Sequence, residues 1–223
     1  AVKVGSDDFT NLPLLKQYAS TKLPLILSCG MANLAEIYTS LETVGALDGY
    51  PVVLLLCISQ YPTPIKDVNL QRLHTLQESF PMIPIGFSDH TQGHLASALA
   101  TGLGACLIEK HFTLDQALPG PDHWFSEDPD GLNQWVTSIH QAYELLGSPI
   151  MRPSPNEEDM KRLARRSIVA IENIRRGESF SLENIGLRRP GTGLAPSWYE
   201  QVLTTKATRH LAKGDLIQLG DFS

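Results

Sequence analysis

Five times in the first two-thirds of the chain a short apolar run is followed by a stretch of helical periodicity. That alternation limits the fold more than any other feature. Val2-Lys3-Val4 precedes a helical pattern around Leu14, Leu15 and Tyr18, and Pro24 to Ser28 precedes one running from about Asn33 to Val44. Val52 to Leu56 is followed by the turn Tyr61-Pro62-Thr63-Pro64 and a helix near Leu70 to Phe80. Ile83 to Phe87 leads into a helix over His94 to Thr101, and Ala105 to Ile108 leads, after a long loop, into Leu132 to Leu146. The internal runs are continuously apolar, as parallel strands covered on both faces must be. The expected class is therefore α/β, either a doubly wound sheet or part of a (β/α)8 barrel.

Two observations favour the barrel. Gly5-Ser6-Asp7-Asp8, after the first run, lacks the glycines of a dinucleotide-binding turn. Polar residues instead recur at the end of every run: Ser6, Ser28, Ser59, Ser88 with His90, and Glu109 with His111. Reactive groups spread over many strand ends are the habit of a barrel. Five units cannot close one. The chain opens at Ala1, without an initiator Met and already inside a strand-like run, so three units are expected to lie upstream and the chain is expected to be a fragment.

The character changes after Gly147. Residues 1–147 read as the carboxyl-terminal part of the barrel and 148–160 as a proline-rich linker entering a short charged helix from Glu157 to Arg166. Residues 161–223 read as a small β-rich domain of short strands and turns. A net charge of -6 over 223 residues gives no general attraction to a nucleic-acid backbone. The basic residues from Arg152 to Arg189 have no aromatic stacking set interleaved and read as a solvated helix face or an interface to an acidic surface. Cys29, Cys57 and Cys106 are odd in number and sit in apolar runs, which predicts buried free thiols in a reducing compartment. No segment has the apolar length of a membrane span, and the cytoplasm is the expected location.

His90 and His111 lie 21 residues apart, about one helix and one strand with short connections. On neighbouring parallel strands both imidazoles emerge at the same end of the sheet, close enough to hold one metal ion. A single histidine at a strand end also serves simply as a hydrogen-bonded structural residue; two in matched settings strengthen the metal reading. With no cysteine expected beside them, a harder ion completed by oxygen ligands and water fits better than a tetrahedral structural zinc. Strand alternation turns Glu109 the same way as His111, whereas Asp89 reads equally well as a capping carboxylate. Lys3, inside an apolar run, must find solvent or a counter-charge, and with Ser6 and Ser28 it could hold an anionic substrate. Pro119-Gly120-Pro121-Asp122 stiffens a loop that either presents a carboxylate or makes a rigid surface turn.

Taken in order, Lys3-Val4-Gly5-Ser6, Ile26-Leu27-Ser28-Cys29-Gly30-Met31, Cys57-Ile58-Ser59-Gln60-Tyr61-Pro62-Thr63-Pro64, Ser88-Asp89-His90-Thr91, Glu109-Lys110-His111-Phe112-Thr113, Pro119-Gly120-Pro121-Asp122 and Arg189-Pro190-Gly191-Thr192-Gly193 resemble the sialic acid synthase family. That family includes N-acetylneuraminate, legionaminate and pseudaminate synthases and spore-coat polysaccharide homologues. The resemblance implies a (β/α)8 barrel followed by a small antifreeze-like (SAF) domain. It implies condensation of phosphoenolpyruvate with an N-acetylated hexose, such as N-acetylmannosamine, to a nonulosonic acid with release of phosphate, assisted by a divalent metal (Mn or Mg).

By motif match, His90 and His111 would be the metal ligands. Lys3, Ser6, Ser28 and Ser88 would bind phosphoenolpyruvate, while Ser59, Tyr61, Glu109 and Asp122 would line the sugar site. Glu109 would also move a proton or orient sugar hydroxyls. Arg189 would reach the partner subunit's sugar site, which implies a domain-swapped homodimer. Ile58 stands where many relatives have Thr, and Ser59 where some have Asn. The family's first three βα units, with a glutamate and a further lysine of the active site, have no counterpart in this sequence, so the chain alone is expected to be inactive. Two rivals remain: another phosphoenolpyruvate-dependent 3-deoxy sugar-acid synthase, against which the Arg189 to Gly193 motif argues, and an inactive sugar-binding module.

Overall fold

The computed structural model describes all residues from Ala1 to Ser223. They form two compact units, Ala1–Ser148 and Pro149–Ser223. In the first unit, β1 (Val2–Val4), β2 (Leu25–Ser28), β3 (Val52–Cys57), β4 (Ile85–Asp89) and β5 (Ile108–Lys110) alternate with helices α1 (Leu12–Ser20), α2 (Leu34–Thr43), α3 (Arg72–Ser79), α4 (Leu95–Gly102) and α5 (Pro129–Leu146). The strands lie in the order β1-β2-β3-β4-β5, every neighbouring pair parallel. A doubly wound sheet reverses its strand order at a switch point; this one does not, and it is the sheet of a partial (β/α)8 barrel.

Register gives the two faces of the sheet different work. Lys3 pairs with Ile26, Ser28 with Leu55, Cys57 with Ser88, and Ser88 with Glu109. Successive side chains alternate, so Lys3, Ser28, Cys57, Ser88 and Glu109 share one face. Val4, Leu25, Leu27, Leu54, Leu56, Ile85 and Phe87 project from the other, where they pack with Leu15, Leu41, Leu73 and Leu76 of the helices into one core cluster. Each fully buried side chain of this size contributes about 1.5–3 kcal/mol relative to exposure.

Local chemistry sets the helix starts. Asn33 caps α2 through a capping box with Glu36, its Oδ1 accepting from the Ala35 and Glu36 N–H groups at 3.0 and 3.1 Å. Helix α5 begins at Pro129, earlier than apolar periodicity alone predicts, because Asp128 caps it and proline is favoured at the first turn. The fifth strand is displaced from the predicted run at Ala105–Ile108 to Ile108–Lys110. Cys106, expected to be buried, is exposed, while Cys29 and Cys57 are buried as expected.

In the second unit, α6 (Pro155–Ala164) occupies part of the expected linker, with Ser154 and Glu157 forming its capping box. Strands β6 (Ser167–Ala170) and β7 (Ile185–Arg188) form an antiparallel pair, and α7 (Tyr199–Leu203) follows. The remaining pairing is through single bridges, such as Ile174 with Leu211 and Ala207 with Phe222. Ile168, Ile174, Phe180, Ile185, Val202, Leu211 and Ile217 make the unit's own core.

Candidate active site

At the carboxyl ends of the five strands, a cavity of about 490 Å³ is lined by Lys3, Ser6, Ser28, Ser59, Tyr61, Ser88, His90, Glu109 and His111 among others. Nine of the residues singled out in the sequence therefore meet in one place. The Lys3 ammonium donates to Ser28 Oγ at 2.9 Å and to the Val4 carbonyl at 3.0 Å, with Glu109 Oε1 at 3.5 Å. Lys3 thus finds its counter-charge in Glu109 across the sheet. Ser88 Oγ donates to the same Glu109 oxygen at 2.7 Å, and the Gly30 N–H donates to Ser6 Oγ at 3.0 Å.

The imidazoles of His90 and His111 lie with ring centroids 5.1 Å apart and planes at 73°. His90 Nδ1 is 2.8 Å from the Ile58 carbonyl, an acceptor only, so Nδ1 carries the proton and Nε2 keeps its lone pair. His111 Nδ1 lies 3.8 Å from Asp122 Oδ2. Burial pulls the pKa of His90 below 6.5, and burial together with the neighbouring His90 does the same for His111. At neutral pH both rings are therefore uncharged and able to donate an electron pair. Tyr61 packs against the pair, its ring tilted over His90 at 4.3 Å and edge-on to His111 at 5.8 Å. Burial raises the Tyr61 pKa, so its hydroxyl stays protonated.

One atom stands out: Ser59 Oγ is buried and makes no hydrogen bond of normal geometry, although its interaction with Tyr61 lowers the tyrosine's pKa against the larger effect of burial. A buried hydroxyl without a partner costs about 1–3 kcal/mol unless something satisfies it. Gly30 lets this crowding exist, because a Cβ there would come within 2.4 Å of Ser59 Oγ and 2.6 Å of Ser6 Oγ.

Not every expected residue lines the cavity. Asp122 is largely exposed and lies outside the cavity lining, reaching the site through its contact with His111 and its charge near Tyr61. Arg189 is an exposed residue of the second unit, in the loop after β7. Asp89 faces away from the cavity and is wholly buried, accepting from Thr91 N, Thr91 Oγ1 and Ser97 Oγ. Cys57, by contrast, does stand beside the histidines, its Sγ 3.9 Å from His90 Nδ1, so the expectation of no cysteine near the pair fails. The sequence reading also missed Phe125, which is buried with its ring 5.1 Å from His111, and Asp7, which lines the mouth. Phe125 sits in the short turn His123–Phe125, beyond any strand periodicity; the aromatic pair Trp124-Phe125 within a polar loop was its only signal.

His90 and His111 are close enough for both rings to reach one divalent ion, although no three His, Cys, Asp or Glu side chains are grouped to hold one. Two imidazole nitrogens each about 2.1 Å from one ion require ring centroids no more than about 6.5 Å apart, and the observed 5.1 Å meets that condition. The tether on His90 Nδ1 is also the usual means of orienting a ligating ring. An ion held by these two rings alone would draw its remaining ligands from oxygen donors such as substrate or water.

Comparison with known proteins agrees with this architecture. Residues 1–151 match the NeuB family and residues 165–223 match the SAF domain. The chain is 44% identical over 218 residues to an N,N'-diacetyllegionaminic acid synthase of Legionella pneumophila, covering 96% of this chain and 61% of that protein. It is 39% identical to the corresponding synthase of Campylobacter jejuni, covering 97% of this chain and 65% of that protein. The crystal structure of the spore coat polysaccharide biosynthesis protein SpsE of Bacillus subtilis superimposes with a TM-score of 0.63 at 33% identity, covering 99% of this chain and 67% of that one. This chain spans somewhat under two-thirds of the curated relatives it matches. The five-strand partial barrel with its ring of strand-end polar groups, followed by an SAF domain, belongs to the NeuB family.

Proposed function

We propose that this chain carries the metal- and phosphoenolpyruvate-binding side of a nonulosonic acid synthase, which joins phosphoenolpyruvate to the open-chain aldehyde of an N-acetylated hexose. N-acetylmannosamine or a related diacetamido sugar would be the second substrate. The observation that supports this most directly is the single face bearing Lys3, Ser28, Ser88, Glu109, His90 and His111 at the carboxyl ends of parallel strands. Relatives named as legionaminic and pseudaminic acid synthases support the product class.

Lys3, Ser6, Ser28 and Ser88 would hold the phosphate and carboxylate of phosphoenolpyruvate. The cavity lining has one ammonium against the carboxylates of Glu109 and Asp7, so a polyanion needs further positive charge there. A divalent ion, Mn or Mg, on His90 and His111 would supply it and would polarise the aldehyde as a Lewis acid. In the reaction the enol carbon of phosphoenolpyruvate forms a bond to the aldehyde carbon, whose oxygen takes up a proton to become a hydroxyl. Water adds to the resulting cationic carbon and gives up a proton, phosphate then departs with cleavage of its C–O bond, and the remaining hydroxyl loses its proton to leave the ketone. Glu109, held by Ser88 and Lys3, would take the proton that water gives up or orient the sugar hydroxyls. Ser59 Oγ, Tyr61 and Asp122 would contact the sugar, the orphan hydroxyl gaining the partner it lacks. Arg189 would do so from the SAF domain of a second subunit in a domain-swapped homodimer. Because β1 and β5 leave the sheet open at both edges, the chain alone would hold its substrates too loosely for turnover.

Calorimetric titration of phosphoenolpyruvate into the Mn2+-loaded chain tests the reading. Saturable binding is expected, weakened at least about tenfold by Lys3→Met, which removes a charge-assisted contact. Binding that is absent, or indifferent to Lys3→Met, overturns it.

A further inference from the structure

Behind the cavity, on the helix-covered face of the sheet, lies a second set of charges that the proposed chemistry does not use. Asp89 and Lys110 are register partners on β4 and β5, with side chains 0% and 2% exposed and Nζ 3.2 Å from Oδ2. The same ammonium lies 3.7 Å from Glu127 Oε1 and donates to the Thr91 carbonyl. Asp89 accepts from Thr91 N at 2.8 Å, Thr91 Oγ1 at 2.7 Å and Ser97 Oγ at 2.6 Å, and Trp135 Nε1 donates to Ser97 Oγ at 2.7 Å. Glu127 Oε1 accepts from Gly93 N at 3.2 Å, while its backbone donates to the His111 carbonyl at 3.0 Å and accepts from Thr113 N at 2.9 Å.

The positions matter more than the number of bonds. His90 stands between Asp89 and Thr91, both tied to Lys110. His111 directly follows Lys110 and is bonded through its carbonyl to Glu127, also tied to Lys110. One ammonium therefore fixes the backbone on both sides of one imidazole and the backbone at the other. Charged groups buried this deeply endure only when paired and hydrogen-bonded, and once satisfied they hold a single geometry. A hydrophobic pair at 89 and 110 would fill the same space without tying the loop residues Thr91, Gly93 and Glu127 to the two strand ends.

We infer that Asp89, Lys110 and Glu127 are positioning residues that set the mutual orientation of the His90 and His111 imidazoles from the opposite face of the sheet. The inference extends the proposed metal site, but it concerns the rings themselves and can be tested without metal.

The test uses the full chain labelled with 15N-histidine and read by long-range 1H–15N correlation of the imidazoles. In the wild type, His90 should show one tautomer, protonated on Nδ1. Lys110→Met should shift and broaden both the His90 and His111 ring signals. Leu41→Ala, a core truncation in α2 chosen to lower the melting temperature comparably, should leave them unchanged. If Lys110→Met does not fold, the isosteric Asp89→Asn carries the comparison, with the same signals expected to move.

Wild-type imidazole signals in a folded Lys110→Met or Asp89→Asn chain overturn the inference, as does an equal disturbance in Leu41→Ala. Mn2+ titration followed by electron paramagnetic resonance then separates the two readings. The folded variant should raise the Mn2+ Kd by about 10–100-fold, the usual effect of losing support behind a ligand. Disturbed rings in a chain whose wild type takes up no Mn2+ would sink the metal reading and leave the positioning inference standing.

Discussion

Gly30 is where the site's construction can be challenged most sharply. A methyl group there meets Ser59 Oγ at 2.4 Å, Ser6 Oγ at 2.6 Å and Ser6 Cβ at 3.0 Å. Reaching ordinary van der Waals separation requires those neighbours to withdraw by on the order of 1 Å. Overpacking of this kind costs about 1–3 kcal/mol. The bond from Gly30 N–H to Ser6 Oγ, 3.0 Å, would be strained as the hydroxyl moves. For a chain of this size each kcal/mol lowers the melting temperature by about 2–4 °C, so Gly30→Ala should melt about 2–12 °C below wild type.

Gly102 provides the control. It is the last residue of α4, and a Cβ there meets nothing within 4 Å. Gly102→Ala should stabilise by up to about 1 kcal/mol through helix propensity alone. Scanning calorimetry of the transition that belongs to Ala1–Ser148 gives both numbers. A Gly30→Ala chain that melts with the wild type would refute the close approach of Ser6 and Ser59 over Gly30. If it melts low and also binds phosphoenolpyruvate normally, the assignment of Ser6 to the anion falls separately.

Two further expectations concern titration and thiols. His90 and His111 have folded-state pKa values below 6.5, chiefly through burial, so between those values and 6.5 the unfolded chain binds more protons than the folded one. Stability is then full above about pH 6.5 and declines as the pH falls towards the folded-state values; melts that do not change between about pH 7.5 and pH 5 would contradict this. Burial pushes the Cys29 thiol up to about 12 and Cys57 is also buried, whereas Cys106 is exposed, although partial burial raises its thiol pKa as well. Ellman's reagent at about pH 8 should label one thiol rapidly and the others only on unfolding, with the fast phase lost in Cys106→Ser. Rapid labelling of more than one thiol would refute the burial of Cys29 and Cys57.

The parallel strands and the convergence of nine cavity residues were legible in the sequence because both follow from local pattern. Continuous apolar runs such as Val52 to Leu56 mark buried parallel strands, and polar residues just beyond them mark the active end. Strand edges were less legible. The fifth strand is assigned over Ile108–Lys110, yet the Phe87 and Cys106 N–H groups already bond the Leu107 and Ile85 carbonyls, so the end of the predicted run does enter the ladder just before it. What depends on register between strands was not legible at all. Nothing local to Lys110 says that its partner is Asp89, and nothing local to Cys57 says that it sits beside His90. Phe125 reaches His111 from a loop whose path no period describes.

The alternation of β4 and β5 has a consequence for error tolerance. His90 follows Asp89 and His111 follows Lys110, so a slip of one residue in either strand would turn a buried charge into the cavity and an imidazole into the core. Such a chain would leave a carboxylate or an ammonium buried without its partner and would scarcely fold. Misregistered molecules are thereby removed by instability before they can exist as folded but inert protein. The charges that never meet a substrate act as a proofreading mark for the residues that do.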